Sequence, residues 1–192
     1  MDKSGVGGSH FTRGEHTLKV PMSLFAENRR RLIDRLRSNP KLQQRFANGS
    51  KTSSFVLLQG GDEVPFNDTD ISWPFRQESF FQWCFGVEEP GCFGALDLGS
   101  GTSILFFPRL PDEYATWMGK LSSLEEFRKR YEVDETRYVD EIASVLQSKN
   151  ASLLLTLKGV NSDSGLTSVE ATFPGIKKFE VDDEILYPDI CE

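Results

Sequence analysis

Three short runs in this 192-residue chain are apolar from end to end: Phe55-Val56-Leu57-Leu58, Ile104-Leu105-Phe106-Phe107 and Leu153-Leu154-Leu155. A strand turns successive side chains to opposite faces, so a run that does not alternate needs cover on both. Strands at 54–58, 103–107 and 152–157 therefore belong inside a sheet with a layer on either side. The layers are also legible. From Met22 to Arg37 the apolar positions Phe25, Leu32, Ile33 and Leu36 recur at helical spacing, and Asn39-Pro40 stops that helix. Asp140 reads as the cap of a second helix carrying Ile142, Val145 and Leu146. Cys92–Leu98 and Thr102–Phe107 flank Gly99-Ser100-Gly101, which predicts a hairpin and makes the sheet mixed. The expected fold is a three-layer α/β sandwich, a mixed β-sheet flanked by helices at 22–37 and 140–147, in a single domain.

The connections complete this outline. Residues 1–16 are rich in Gly, Ser and charge and read as a disordered leader. Asp62 to Pro74 is polar and turn-rich, long enough to suggest a functional loop. Pro111-Asp112-Glu113 opens a short helix with Tyr114, Trp117 and Met118 on one side, closed by Gly119. Ser123 and Glu126 have capping-box spacing ahead of Leu124, Phe127 and Tyr131. Phe179-Glu180-Val181 is expected as the last strand, with a polar tail from Asp182 onward. Arg29, Arg30, Arg31, Arg35 and Arg37 on the first helix are expected to form a solvated face.

Charge and residue usage exclude several function classes. A net charge of -7 argues against nucleic acid or an anionic membrane as partner, since both demand a basic face. No apolar run approaches the roughly 20 residues of a membrane span. Cys84, Cys92 and Cys191 form no CxxC and pair with no histidine, so they read as reduced thiols of a cytosolic protein. The two histidines, His10 and His16, lie in the leader, which removes the usual basis for a Ser/His/Asp, Cys/His or histidine-rich metal site. Neither a Walker A loop nor a GxGxxG is present. The acidic doublets Glu88-Glu89 and Asp182-Asp183 read as solvated, and Asn161-Ser162-Asp163-Ser164-Gly165 as a turn. Arg76-Gln77-Glu78-Ser79, abutting Phe80-Phe81-Gln82-Trp83, admits two readings: a ligand pocket, or a satisfied and partly buried network, which is favoured.

Longer motifs carry more. TLKVPMSLFAENRRRL, LLQGG, FRQESFFQWCFGVEEPGCFG, LFFPRLP, YATWMGK, RYVDEIASVL and LTLKGVNSDSG, in that order from Thr17, closely resemble the N-terminal domain of the eukaryotic prolidase family, the Xaa-Pro dipeptidases. The resemblance implies an aminopeptidase P/creatinase-type N-terminal domain over 17–192. It also implies a catalytic "pita-bread" domain that is absent from this chain, where Asp, His and Glu hold two manganese ions. No catalytic residue and no metal ligand of the family can be carried onto any residue here. The implied role is non-catalytic: supporting a homodimer and enclosing the active site that hydrolyses dipeptides ending in proline. One residue transfers: Trp117, in YATWMGK, is similar to the tryptophan that reaches toward the substrate in the partner subunit. A second reading stays open, a stand-alone interaction module with this fold and no peptidase activity.

Overall fold

In the computed structural model, which describes residues 9–47 and 53–191, a small hairpin of β1 (His10–Phe11) and β2 (Val20–Pro21) precedes a six-stranded sheet. The sheet contains β3 (Ser53–Gln59), β4 (Phe93–Asp97), β5 (Ser103–Phe107), β6 (Glu135–Tyr138), β7 (Ala151–Thr156) and β8 (Glu180–Asp182). Their order is β6-β5-β4-β3-β7-β8. β4 runs against β3 and β5, while β3–β7, β5–β6 and β7–β8 pair in parallel. The three runs without alternation therefore occupy interior positions, as their composition requires. One consequence matters for function. The carboxyl ends of β3, β5, β6, β7 and β8 all emerge at the same end of the sheet.

Alternation within each buried strand divides two cores. Val56, Leu58, Leu96, Leu105, Phe107, Leu153 and Leu155 face one side and pack on Met22, Phe25, Leu32, Ile33 and Leu36 of α1 (Met22–Ser38). After the short α2 (Pro40–Ala47), that side is completed by α3 (Ser79–Phe85), α5 (Leu124–Tyr131) and α7 (Leu186–Cys191), with α4 (Ala115–Met118) lying between α3 and α5 in sequence. Phe55, Leu57, Phe93, Ala95, Ile104, Phe106 and Leu154 face the other side. There the cover is α6 (Ile142–Ser148), through Ile142 and Leu146, together with Ala171, Phe173 and Phe179 from the crossing between β7 and β8. The predicted mixed sheet between helical layers is what the chain forms. No helix among the described residues is long and apolar enough to cross a membrane.

Four expectations need correction. The expected leader over 1–16 lies outside the described residues for 1–8, but 9–16 is structured. Ser9 carbonyl accepts from Met22 N at 2.9 Å, and the Phe11 ring meets Phe25 edge-on at 6.2 Å, so an apolar residue in a polar leader finds the core. The tail is not wholly polar, because Leu186 and Ile190 of α7 are buried against α1. Asp140 does not cap α6; Glu141 accepts from Tyr138 N at 2.8 Å, and Asp140 pairs with Arg109 instead. The capping box of Ser123 and Glu126 is present as predicted.

The fourth correction concerns the arginines of α1. Arg30 lies in solvent between Glu27 and Asp34. Arg29 is 4% exposed, and its guanidinium donates to Cys84 O at 3.1 Å and Glu132 O at 2.7 Å. Those carbonyls belong to the last turn of α3 and to the residue ending α5, so one side chain satisfies two helix C-termini that carry partial negative charge. Desolvation lowers the Arg29 pKa, yet a guanidinium stays charged under any folding condition. Arg35 donates to Asp189 O at 3.1 Å in α7. Arg37 donates to Leu98 O and Gly99 O at 2.7 and 2.8 Å in the β4–β5 turn. We expect Arg29→Ala to cost on the order of 3 kcal/mol, since two carbonyls lose a charged donor. Arg29→Lys should recover only part, because an ammonium cannot fork to both. Arg31→Ala, at an exposed position of the same helix, should stay within about 0.5 kcal/mol. Urea denaturation of the three variants checks the order.

Candidate functional site

The end of the sheet where five strands terminate carries a crown of connecting segments. Its root is built around the two glycines after β3. Gly60 N donates to Cys92 O at 2.8 Å and Gly91 N to Gly61 O at 2.9 Å. A Cβ at Gly60 would stand 2.9 Å from Gln77 Oε1 and 3.1 Å from Cys92 O, so the close approach needs glycine. Gln77 is buried and uses its whole amide. Its Oε1 accepts from Gly61 N at 2.6 Å and from Glu78 N at 3.0 Å. Its Nε2 donates to Val87 O at 3.1 Å and Glu89 O at 3.2 Å. Of Arg76-Gln77-Glu78-Ser79, the middle two form a satisfied network, with Glu78 accepting from Phe81 N to cap α3, whereas Arg76 and Ser79 are exposed.

From this root rise two fingers. In the first, residues 62–74, Phe66 N donates to Ile71 O and Trp73 N to Val64 O, while the Phe66 and Trp73 rings lie 4.4 Å apart. The second finger, around residues 160–167, closes through Asn161 N to Leu166 O, with Asn161 Oδ1 accepting from Asp163 N and Ser164 N. It is the turn expected of Asn161 to Gly165. Its base rests on the Tyr187 ring, which a Cβ at Gly159 would meet at 2.0 Å. Between β5 and α5 the chain passes through α4, whose backbone includes Trp117. The side chain of Trp117 lies outside the described residues.

Among its exposed polar residues the crown also presents large apolar side chains. Twelve large apolar side chains stand exposed among the described residues, and eight belong to these segments: Val64, Ile71, Trp73, Leu110, Tyr114, Val160, Leu166 and Val169. Leu166 is 71% exposed and Trp73 52%. Their placement on the connections at one end of the sheet sets them apart from singly scattered apolar residues, which would need no account. Sequence reasoning singled out the length of the 62–74 loop but missed this rim. Its signal was Val64, Ile71 and Trp73 inside an otherwise polar, turn-rich stretch.

Three acidic residues at the foot of the crown, Glu89, Asp182 and Asp183, are committed to structural partners, whereas Asp62, Asp68 and Asp70 of the first finger stand exposed. Glu89, expected to be solvated, accepts from Tyr131 Oη at 2.5 Å and from Arg130 Nη1 at 2.9 Å. Burial and the Glu89 charge push the Tyr131 phenol well above its ordinary pKa. Asp182 likewise binds Arg45 at 2.7 Å and accepts from Glu184 N and Ile185 N. Asp183 pairs with Lys158. Among the described residues no three His, Cys, Asp or Glu side chains gather where they could hold a metal ion. The described donors do not fit a divalent-metal pair. Cys84 and Cys92 are buried, and desolvation raises the Cys84 thiol to about 12 and Cys92 further in the same direction. Such thiols pack as small hydrophobes.

Comparison with known proteins bears on this arrangement. Residues 25–154 match the family model described as Aminopeptidase P, N-terminal domain. The chain is 55% identical over 185 residues to a Homo sapiens protein named Xaa-Pro dipeptidase, covering 96% of this chain and 36% of that protein. It is 56% identical over 182 residues to a Mus musculus protein of the same name, covering 95% and 35% respectively. This chain therefore spans about a third of the length of the curated relatives it matches. Among solved structures, Pseudomonas aeruginosa aminopeptidase PepP superposes with a TM-score of 0.56 at 21% identity, over 75% of this chain and 30% of that one. E. coli aminopeptidase P gives 0.55 at 18% identity, over 76% and 30%. These structural likenesses establish the fold.

The root of the crown can be tested through Gln77. Gln77→Ala removes partners from two N–H groups and two carbonyls, and we expect a loss on the order of 3 kcal/mol in urea denaturation. Gln77→Glu keeps the acceptors but turns an oxygen toward the Val87 and Glu89 carbonyls, raising the folded-state pKa of the new carboxyl. The variant should be destabilised at pH 7 and regain stability as pH falls through that raised value, where the protonated acid can donate again.

Proposed function

The chain belongs to the aminopeptidase P N-terminal domain family, and from that premise we propose that it is the non-catalytic N-terminal domain of a metal-dependent Xaa-Pro dipeptidase. The observation that carries the reading is the identity of 55% over almost the whole chain to a protein of that name. In this reading the hydrolytic chemistry belongs to a further catalytic domain, which holds two manganese ions. Metals bound there would supply Lewis-acid activation of a water; no described residue of this chain would hold them. This chain's residues contribute position and enclosure.

The crown is suited to that role. A bond to proline has no N–H and carries a rigid ring, so it is recognised more by shape than by backbone hydrogen bonding. An apolar rim laid over a neighbouring active site would exclude water and limit the length of peptide that fits. The exposure of Val64, Ile71, Trp73, Leu166 and their neighbours is then explained, because the surface is covered in a homodimer. Trp117 is the residue assigned to the substrate-proximal position in the partner subunit. The protein is cytosolic in this reading, with its three cysteines remaining thiols.

The test uses the full-length protein and the 192-residue chain side by side. The full-length protein should cleave Gly-Pro with manganese and sediment as a dimer, whereas the chain alone should neither cleave it nor give a two-site manganese isotherm. Full-length Trp117→Ala should lose about tenfold or more in kcat/KM, the scale of a misplaced substrate-positioning group. A full-length protein without manganese-dependent cleavage would leave the interaction-module reading. An unchanged kcat/KM in Trp117→Ala would remove the role of the tryptophan.

A further inference from the structure

Between the end of β5 and the start of α5 the chain crosses the crown as a strap, residues 108–123. Its described side chains are fastened at the two ends. At the leading end, Arg109 Nε and Nη2 donate to Asp140 Oδ2 and Oδ1 at 3.1 and 3.4 Å. The same guanidinium lies over the Tyr138 ring, with Cζ 3.7 Å from its centroid. At the trailing end, Lys120 Nζ donates to Glu126 Oε1 at 2.7 Å, and Glu126 Oε2 accepts from Ser123 N at 2.7 Å. Arg130 Nη2 adds a bond to Ser122 Oγ at 3.3 Å. From Leu110 to Gly119 no described side chain makes a hydrogen bond or ion pair, and outside α4 the backbone bond from Tyr114 N to Pro111 O stays within the strap. Leu110 and Tyr114 point into solvent.

The two ends are not equal. The trailing end runs into α5, whose capping box and buried Tyr131 fix it to the first core. The leading end leaves β5 at Phe107, which is paired with Tyr138 of β6; beyond that ladder the described side chain that ties the strap to the corner between β6 and α6 is Arg109. An exposed ion pair ordinarily contributes little, because ordering two long side chains offsets the Coulomb attraction. Here the Tyr138 ring, 3.7 Å from Cζ, restricts the guanidinium as well, so the fork loses less freedom on meeting the carboxylate. We propose that Arg109 is the positioning residue of the strap: its two contacts fix where residues 110–119, and Trp117 with them, stand on the crown. The functional meaning of that placement rests on the dipeptidase reading; the mechanical claim does not.

Chymotryptic nicking between Leu110 and Met118 under native conditions reads how often the strap opens, since cleavage follows the population of the opened segment. In the 192-residue chain, Arg109→Ala should raise the nicking rate by about tenfold with no change in the urea midpoint. Asp140→Ala should do much the same from the other partner. The double variant should add little to Arg109→Ala, as expected of groups acting as one unit. Arg109→Lys should not restore protection, because an ammonium has neither the fork nor the flat face. Arg128→Ala breaks an ion pair with Glu125 off the strap and should leave nicking unchanged. Nicking in Arg109→Ala and Asp140→Ala equal to that of the parent chain would overturn the proposal.

In the full-length enzyme, Arg109→Ala and Trp117→Ala should lose kcat/KM to a similar degree, and the double variant no further. If Trp117→Ala is impaired while an easily nicked Arg109→Ala is not, the positioning role is wrong. If Trp117→Ala itself is unimpaired, the substrate-proximal role of the tryptophan fails, and the nicking result stands apart from it.

Discussion

The first core depends on a buried guanidinium whose hydrogen-bond partners are backbone carbonyls, with added attraction from the Asp134 and Glu132 carboxylates. Arg29 sits among Phe85 and the ends of two helices, and carbonyl dipoles provide its compensation. Placing a charge there is costly unless every donor in reach finds a partner. Once it is satisfied, the same cost becomes a constraint. α3 and α5 cannot shift without stranding a cation that has no means of losing its proton. Arg35 and Arg37 extend the arrangement to α7 and the β4–β5 turn, and Asn28 Nδ2 adds a bond to Trp83 O at 2.9 Å. α1 therefore does more than cover a sheet face. It sets the relative positions of four neighbouring elements through contacts far apart in sequence.

At the carboxyl end of the sheet, Gln77 plays a corresponding part with a neutral group. Four backbone partners from three segments converge on one side-chain amide. This converts a place where β3 ends and β4 begins into a rigid base. The fingers can then project apolar side chains into solvent without the sheet end fraying. Function lodged on loops needs such a scaffold, because a surface cannot complement a partner if its root is loose. Among the described residues the domain supplies shape and firmness at that end, and Glu89, Asp182 and Asp183 at its foot are occupied with structural partners.

Much of the sandwich was legible in the sequence because it follows from local rules. Runs without alternation place β3, β5 and β7 inside the sheet, and helical spacing places α1 on one face. The capping box of α5 needs only Ser123 and Glu126 at the right distance along the chain. What local rules did not reveal was where long side chains terminate. Arg29 and Arg30 are adjacent and chemically identical, yet one is buried and one is in solvent, because the helix turns them toward different neighbours. Glu89 reads as half of a solvated doublet until Tyr131 arrives from 42 residues away. The order of the leader depends likewise on Phe11 finding Phe25, a contact that composition cannot foresee. At the candidate site, a long loop was visible but the rim was not, since exposure is a property of the assembled surface. Trp117 was identified by resemblance alone.

The central pairing of the sheet has a bearing on how this chain is made. β3 lies between β4, its near neighbour in sequence, and β7, whose Leu154 stands opposite Phe55. The meander of β3, β4 and β5 can form as soon as those residues leave the ribosome, but one flank of β3 then presents bare amides and carbonyls over an apolar surface. That flank is satisfied only when residues almost a hundred positions later have been synthesised. Pairings of such separation close slowly, and nascent edges of this kind invite adhesion to other chains. The most deeply protected strand of the finished domain is therefore the one left open longest during its synthesis.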